Sequence, residues 1–131
     1  MYSLSRLTIY YKNFIYQKNL IYAMMLEIND EKELVRILKA LANPIRIKII
    51  SYLSREPMCV YDLAKALKLS YPLTFLHVKI LRDLGLIKEV RREESTKGLL
   101  PTRYYRASDF EITLSAENIR RIVEGGRDEN G

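Results

Sequence analysis

The feature that most constrains this chain is a run of helix punctuation between residues 30 and 85. Asp30, Asn43 and Ser70 are side chains suited to capping helix N-termini, Pro44 falls where a helix tolerates its missing amide hydrogen, and Gly85 suits a left-handed helix stop. Four short helices follow from this. The first starts after Asp30, carries Glu31 and Glu33 in its first turn, places Leu34, Ile37, Leu38 and Leu41 on one face, and ends near Asn43. The second starts at Pro44, turns Ile45, Ile49, Ile50 and Leu53 inward, and is stopped by Pro57. The third covers residues 61–67 with Leu63, Ala64 and Leu67 inward, and the fourth runs from the Ser70 cap through Pro72 to Leu84.

Beyond Gly85, residues 86–94 and 102–107 read as two strands around a turn-rich stretch holding Lys97, Gly98 and Pro101, a hairpin with a long loop. Ser115 then opens a last short helix over 117–123. The predicted fold is mainly α within an α+β class: a winged helix-turn-helix with a two-stranded hairpin wing and helices towards both ends. The domain is placed at 26–124, with residues 125–131 as a disordered tail. Residues 1–25 form an N-terminal extension with three open readings. Leu4, Leu7, Tyr11, Phe14 and Ile21 have helical spacing; the segment also suits a disordered extension, or a start codon upstream of initiation at Met24 or Met25.

Charge selects among functions. The chain has 22 lysines and arginines against 16 acids, a net charge of +6, and the excess is central: residues 44–84 carry +4 and residues 85–107 carry +3, whereas 108–131 carry −3. A basic working surface points to double-stranded DNA as partner. On a helical wheel Leu73, Thr74, His77, Val78, Ile80, Leu81 and Leu84 of the fourth helix face inward, and Tyr71, Phe75, Lys79 and Arg82 face the other way, with Pro72 and Leu76 at the border. That outward face, opened by Ser70, suits the major groove, and Arg91, Arg92, Lys97, Arg103 and Arg106 of the hairpin suit phosphates or the minor groove. The candidate DNA-binding residues are Arg46, Ser70, Tyr71, Phe75, Lys79, Arg82, Arg91, Arg92, Lys97 and Arg103. Phe75 either touches thymine methyl groups or is buried against the wing or the turn. Arg46 either binds phosphate or makes a structural ion pair, and the Leu99–Leu100 pair at the wing tip either wedges into a minor groove or packs on a second subunit.

Four stretches give the chain a family resemblance: LKALANPIRIKIISYL (38–53), CVYDLAKALKLS (59–70), HVKILRDLGLI (77–87) and RYYRA (103–107). In that order and spacing they resemble the winged-helix domain of the ArsR family. The resemblance implies a dimeric DNA-binding transcription regulator, usually a repressor, paired through its terminal helices. This chain departs from the metal-sensing members. Their second cysteine position is Tyr61 here, one thiolate at Cys59 makes no tight thiol site, and the last helix has no histidine. No metal and no cofactor are therefore expected. Cys59 reads as a packing residue, and His77, at a family histidine position, as a core histidine. The recognition helix also departs: Tyr71, Phe75 and Leu76 stand where family members are polar, which shifts the expected readout toward apolar contact and DNA shape.

An enzyme is disfavoured. The five glycines (85, 98, 125, 126 and 131) make no phosphate loop, and a single histidine leaves no nucleophile–base set. One cysteine allows no intramolecular disulfide, no apolar window is long enough to span a membrane, and the expected location is the cytoplasm. A single glutamine, Gln17, beside abundant isoleucine, lysine, arginine and glutamate points to a heat-adapted source. The remaining alternative to a DNA-binding regulator is a winged helix that binds protein through Tyr71, Phe75, Leu76, Leu99 and Leu100.

Overall fold

The computed structural model describes residues 28–95 and 98–130; the extension over 1–25 and Lys97 lie outside the described residues. Its elements are α1 (Glu31–Leu41), α2 (Pro44–Arg55), β1 (Met58–Cys59), α3 (Val60–Leu67), α4 (Tyr71–Asp83), β2 (Ile87–Glu93), β3 (Thr102–Ala107) and α5 (Ala116–Asn130). Among the described residues this is a mainly helical α+β winged helix.

The capping side chains set the helix starts. Asp30 accepts from the Glu33 amide at 2.8 Å while the Glu33 carboxylate accepts from the Asn29 amide at 3.0 Å, and the two bonds together fix the start of α1. Asn43 accepts from the amides of Ile45 and Arg46 at 2.9 and 3.1 Å. Ser70 accepts from the Leu73 amide at 3.3 Å, and the buried Thr74 hydroxyl donates to the Ser70 carbonyl at 2.8 Å, so the polar side chain inside α4 is satisfied. At the other end of α4, Gly85 has φ +79°; its amide donates to Arg82 and that of Leu86 to Leu81, both at 2.9 Å, which is the paired stop that a left-handed glycine permits.

Ile49, Leu53, Val60, Leu63, Val78, Leu81, Leu86, Ile87 and Tyr105 form one buried cluster. It joins α2, α3 and α4 to the root of the wing. Two expectations need correction here. Leu73 and Ile80 are each 40% exposed, because the buried stripe of α4 is the narrow 74–78–81 line, set by the ridge that meets α2 and α3. The wing is also more than a two-stranded hairpin: β1 adds to it, giving an antiparallel sheet in the order β1–β3–β2 with Met58 opposite Tyr105 and Cys59 opposite Tyr104. Two residues carry no period of their own, so sequence pattern could not show this strand.

Helix α5 starts at the Ser115 cap, whose hydroxyl accepts from the Asn118 amide at 3.0 Å, and packs on α1. It spans Ala116–Asn130, longer than the expected 117–123. Arg120 pairs with both Glu117 and Glu124, on the turns before and after it, and this carries the helix toward Gly125 and Gly126.

The turn between α3 and α4 has one strained position. Lys68, the C-cap of α3, sits at φ +58° and ψ +47°, where its Cβ is unfavourable, and is the only described non-glycine residue with positive φ. Relief of this strain outweighs the extra chain entropy of glycine, so Lys68→Gly is expected to stabilise the fold by about 0.5–1 kcal/mol, and Lys68→Ile to destabilise it. Thermal melts of the two variants check this; a lower melting temperature for the glycine variant would contradict it.

Candidate nucleic-acid interface

The outward face of α4 is intact. Tyr71, Leu76 and Lys79 are exposed, Arg82 is partly so, and Phe75 is 37% exposed. Between this face and the wing lies a cleft of about 440 Å³, with Tyr71, Phe75 and Arg82 on one side and Leu100 and Arg103 on the other. Phe75 thus falls between its two readings: it is neither free nor buried, but lines a cleft with the wing. Leu100, 89% exposed, and Leu99 stand out at the tip. The Ser70 hydroxyl has become the α4 cap.

The strands position the wing cations. Arg92 lies opposite Arg103, Glu89 opposite Tyr105 and Arg91 opposite Tyr104, with a register shift that leaves Val90 as the extra residue. This one-residue bulge reverses the alternation, so Arg92, not Arg91, follows Glu89 on the face of Tyr105 and Arg103. On the other face the Arg91 guanidinium lies 3.9 Å from the Tyr104 ring centroid, and the Tyr104 hydroxyl donates to Glu93 at 3.3 Å.

Five cations of these two elements have a carboxylate nearby. Lys79 Nζ is 2.8 Å from Asp83, Arg82 3.4 Å from the same residue, Arg91 3.7 Å from Glu93, Arg92 3.2 Å from Glu89 and Arg103 4.0 Å from Glu89. Hydrogen bonding to Lys79 holds the Asp83 carboxyl below its usual range. Of these partners, Asp83 follows from its i, i+4 spacing to Lys79 and Glu93 from its i, i+2 spacing to Arg91 on one strand, whereas Glu89 does not follow from spacing.

Arg46 takes a structural role. Its Nε donates to the Ala40 carbonyl at 2.6 Å, one terminal nitrogen reaches the Lys39 carbonyl at 3.5 Å and the other lies 3.1 Å from His77 Nδ1. It therefore satisfies the carbonyl end of α1 and ties it to α4, and its partners are carbonyls and an imidazole. With Nδ1 accepting, the neutral ring of His77 carries its proton on Nε2. Burial, and then the Arg46 charge, lower the pKa of His77 from 6.5.

Cys59 is buried at the start of α3 and burial pushes its thiol pKa up, away from the thiolate a metal needs. Among the described residues no group of three or more histidine, cysteine, aspartate or glutamate side chains is placed to hold a metal ion, and no helix is long and apolar enough to cross a membrane.

Comparison with known proteins gives consistent matches. The family described as bacterial regulatory protein, arsR family, matches residues 43–89. An uncharacterized HTH-type transcriptional regulator of Methanocaldococcus jannaschii is 34% identical over 92 residues, covering 70% of this chain and 94% of that protein. The HTH-type transcriptional repressor SmtB of Mycobacterium tuberculosis is 41% identical over 51 residues, 39% of this chain and 38% of its own length. Among solved structures, reduced HlyU from Vibrio cholerae aligns with a TM-score of 0.48 at 28% identity, over 70% of this chain and 82% of that one.

The His77 contact has a pH signature. Because the folded pKa is depressed, the unfolded chain binds the proton first, so stability is complete above pH 6.5 and falls as the pH drops toward the lower folded value. Replacing His77 by glutamine removes this titration. The melting temperature of the wild type is expected to fall more between pH 7.5 and pH 5 than that of His77→Gln; equal falls would sever stability from this histidine.

Proposed function

Because the chain belongs to the ArsR family of regulatory proteins, we propose that it is a transcription regulator, a homodimeric repressor that binds double-stranded DNA in a sequence-specific way. The observation that carries this reading is the single surface made by the capped α4 and the wing, where Tyr71, Phe75, Lys79 and Arg82 stand across a cleft from Leu100 and Arg103, with Arg91 and Arg92 on the adjoining strand. Here α4 enters the major groove. Lys79, Arg82 and the wing arginines meet phosphates, the Phe75 ring meets thymine methyl groups, and Tyr71 reaches a base edge or a phosphate. The Leu99–Leu100 tip reaches the minor groove or the partner subunit.

Pairing runs through α1 and α5, which pack on each other and leave Val35 and Ile119 exposed. A twofold dimer places two α4 helices in successive major grooves, about 34–36 Å apart, on a roughly palindromic operator. Such a protein works in the cytoplasm, beside its DNA, and does so without catalysis. A second reading, a module that binds protein, draws on the exposed Leu76, Leu99 and Leu100.

Fluorescence anisotropy of the protein with its own upstream duplex and with a scrambled duplex, each at two salt concentrations, tests the proposal. Tight, salt-sensitive binding that prefers the native duplex is expected. Lys79→Ala and Arg92→Ala should weaken binding to both duplexes about tenfold at most, in line with the loss of one phosphate contact, whereas Phe75→Ala should change the preference between them. No binding at low salt would put the protein-binding reading first, and three variants with unchanged binding would discard this surface.

A further inference from the structure

The proposed DNA face carries carboxylates where a phosphate-binding surface has least use for them. Of these, Glu89 is the most engaged. One of its carboxylate oxygens lies 3.2 Å from Arg92 Nε, and the other 3.5 Å from an Arg92 terminal nitrogen and 4.0 Å from Arg103 Nε. Its side chain is 30% exposed, less than those of Arg92 and Arg103 at 45% and 46%. Glu89 thus lies within reach of two arginines, Arg92 on its own strand and Arg103 on the neighbouring one. The arrangement depends on the bulge: without Val90 as an extra residue, Glu89 and Arg92 would point to opposite faces of β2.

The cost of this arrangement to the fold is small and so is its benefit, since exposed ion pairs contribute little to stability. Its effect on an approaching duplex is larger. A carboxylate offers a guanidinium two oxygens in nearly the geometry of a phosphate, so Glu89 occupies the donors that a phosphate would use and leaves the three-residue cluster with a net charge of +1 instead of +2. Sequence-independent binding rests on this phosphate term.

We propose that Glu89 is a positioning residue that acts as an internal phosphate surrogate, holding Arg92 and Arg103 together and restraining the wing's sequence-independent affinity for DNA. This inference rests on the proposed DNA-binding function. It assigns Glu89 to specificity through a penalty on all duplexes, against which base contacts by α4 must select. For a regulator that searches among a vast excess of non-specific sites, a weaker common term leaves more protein free for the operator.

The test compares wild type, Glu89→Gln and Glu56→Gln by anisotropy on the scrambled duplex across a salt series, with a thermal melt of each. Glu56 is exposed at the C-cap of α2, outside α4, the wing and the pairing helices, and its variant removes the same charge. Glu89→Gln is expected to bind the scrambled duplex about three- to tenfold more tightly at ~0.1 M salt and to steepen the slope of log affinity against log salt by about one, the mark of one more phosphate neutralised. Glu56→Gln should match the wild type. If Glu89→Gln melts normally and its scrambled-duplex affinity or slope is unchanged or reduced, the inference is overturned; equal gains in both variants would overturn it too, by showing an effect of net charge alone. A wild type that binds no duplex at low salt would instead defeat the DNA-binding reading itself, so the two failures are distinct.

Discussion

The geometry of the candidate interface depends on how the chain leaves α4. The two hydrogen bonds at Gly85, from its own amide to Arg82 and from the Leu86 amide to Leu81, turn the backbone through a left-handed residue and deliver Leu86 and Ile87 directly into the core. Leu81 and Leu86, joined by the second of these bonds, are both fully buried, so polar closure and apolar packing reinforce each other at one point. From there β2 has no freedom of direction. Ser108 returns at the end of β3 to donate to the Leu86 carbonyl at 3.0 Å, and Tyr105, 2% exposed, anchors the middle of β3 in the same core. The wing is consequently an extension of the α4 terminus and holds its arginines at a fixed distance from the exposed face of that helix.

On that scaffold, electrostatics decide less about folding than about binding. The pairs between Lys79 and Asp83, Arg91 and Glu93, and Arg92 and Glu89 join side chains that are about a third to a half exposed, where solvent and salt screen them. They orient the cations instead. The Arg91 side chain, stacked on Tyr104 and near Glu93, is held on the opposite face of the sheet from Arg92 and Arg103, so the bulge at Val90 divides the basic charge of the wing between two faces. Only the set that shares a face with Tyr105 borders the cleft beside α4, through Arg103.

Much of this was legible in the sequence because it is local. Asp30, Asn43, Ser70 and Gly85 each announce a helix end through a contact within five residues, and the 3.6-residue period identified Ile49, Leu53, Leu63, Val78 and Leu81 as inward. What escaped is non-local. The β1 strand consists of two residues whose partners are Tyr104 and Tyr105, the bulge at Val90 appears only once β3 is in register, and Leu73 and Ile80 stay largely exposed among the described residues. Among the candidate site residues, the α4 face could be read from a wheel, but the assignment of Arg92 to the face of Glu89 could not. A strict two-residue alternation puts them on opposite sides.

Arg46 shows most clearly how a residue's partners are set non-locally. Its family arginine position left a phosphate and a structural ion pair open, and within the chain its donors are directed to two carbonyls of α1 and to the imidazole of α4. The reason lies in the tight α1–α2 junction. With Asn43 capping α2, the carbonyls at the end of α1 have no side chain of their own to close them, and a guanidinium with several donors in a rigid fork can serve the α1 end and His77 together. One side chain thus fixes three helices relative to one another. In the proposed dimer, where α1 and α5 pair two copies, this contact lies between the pairing helices and α4.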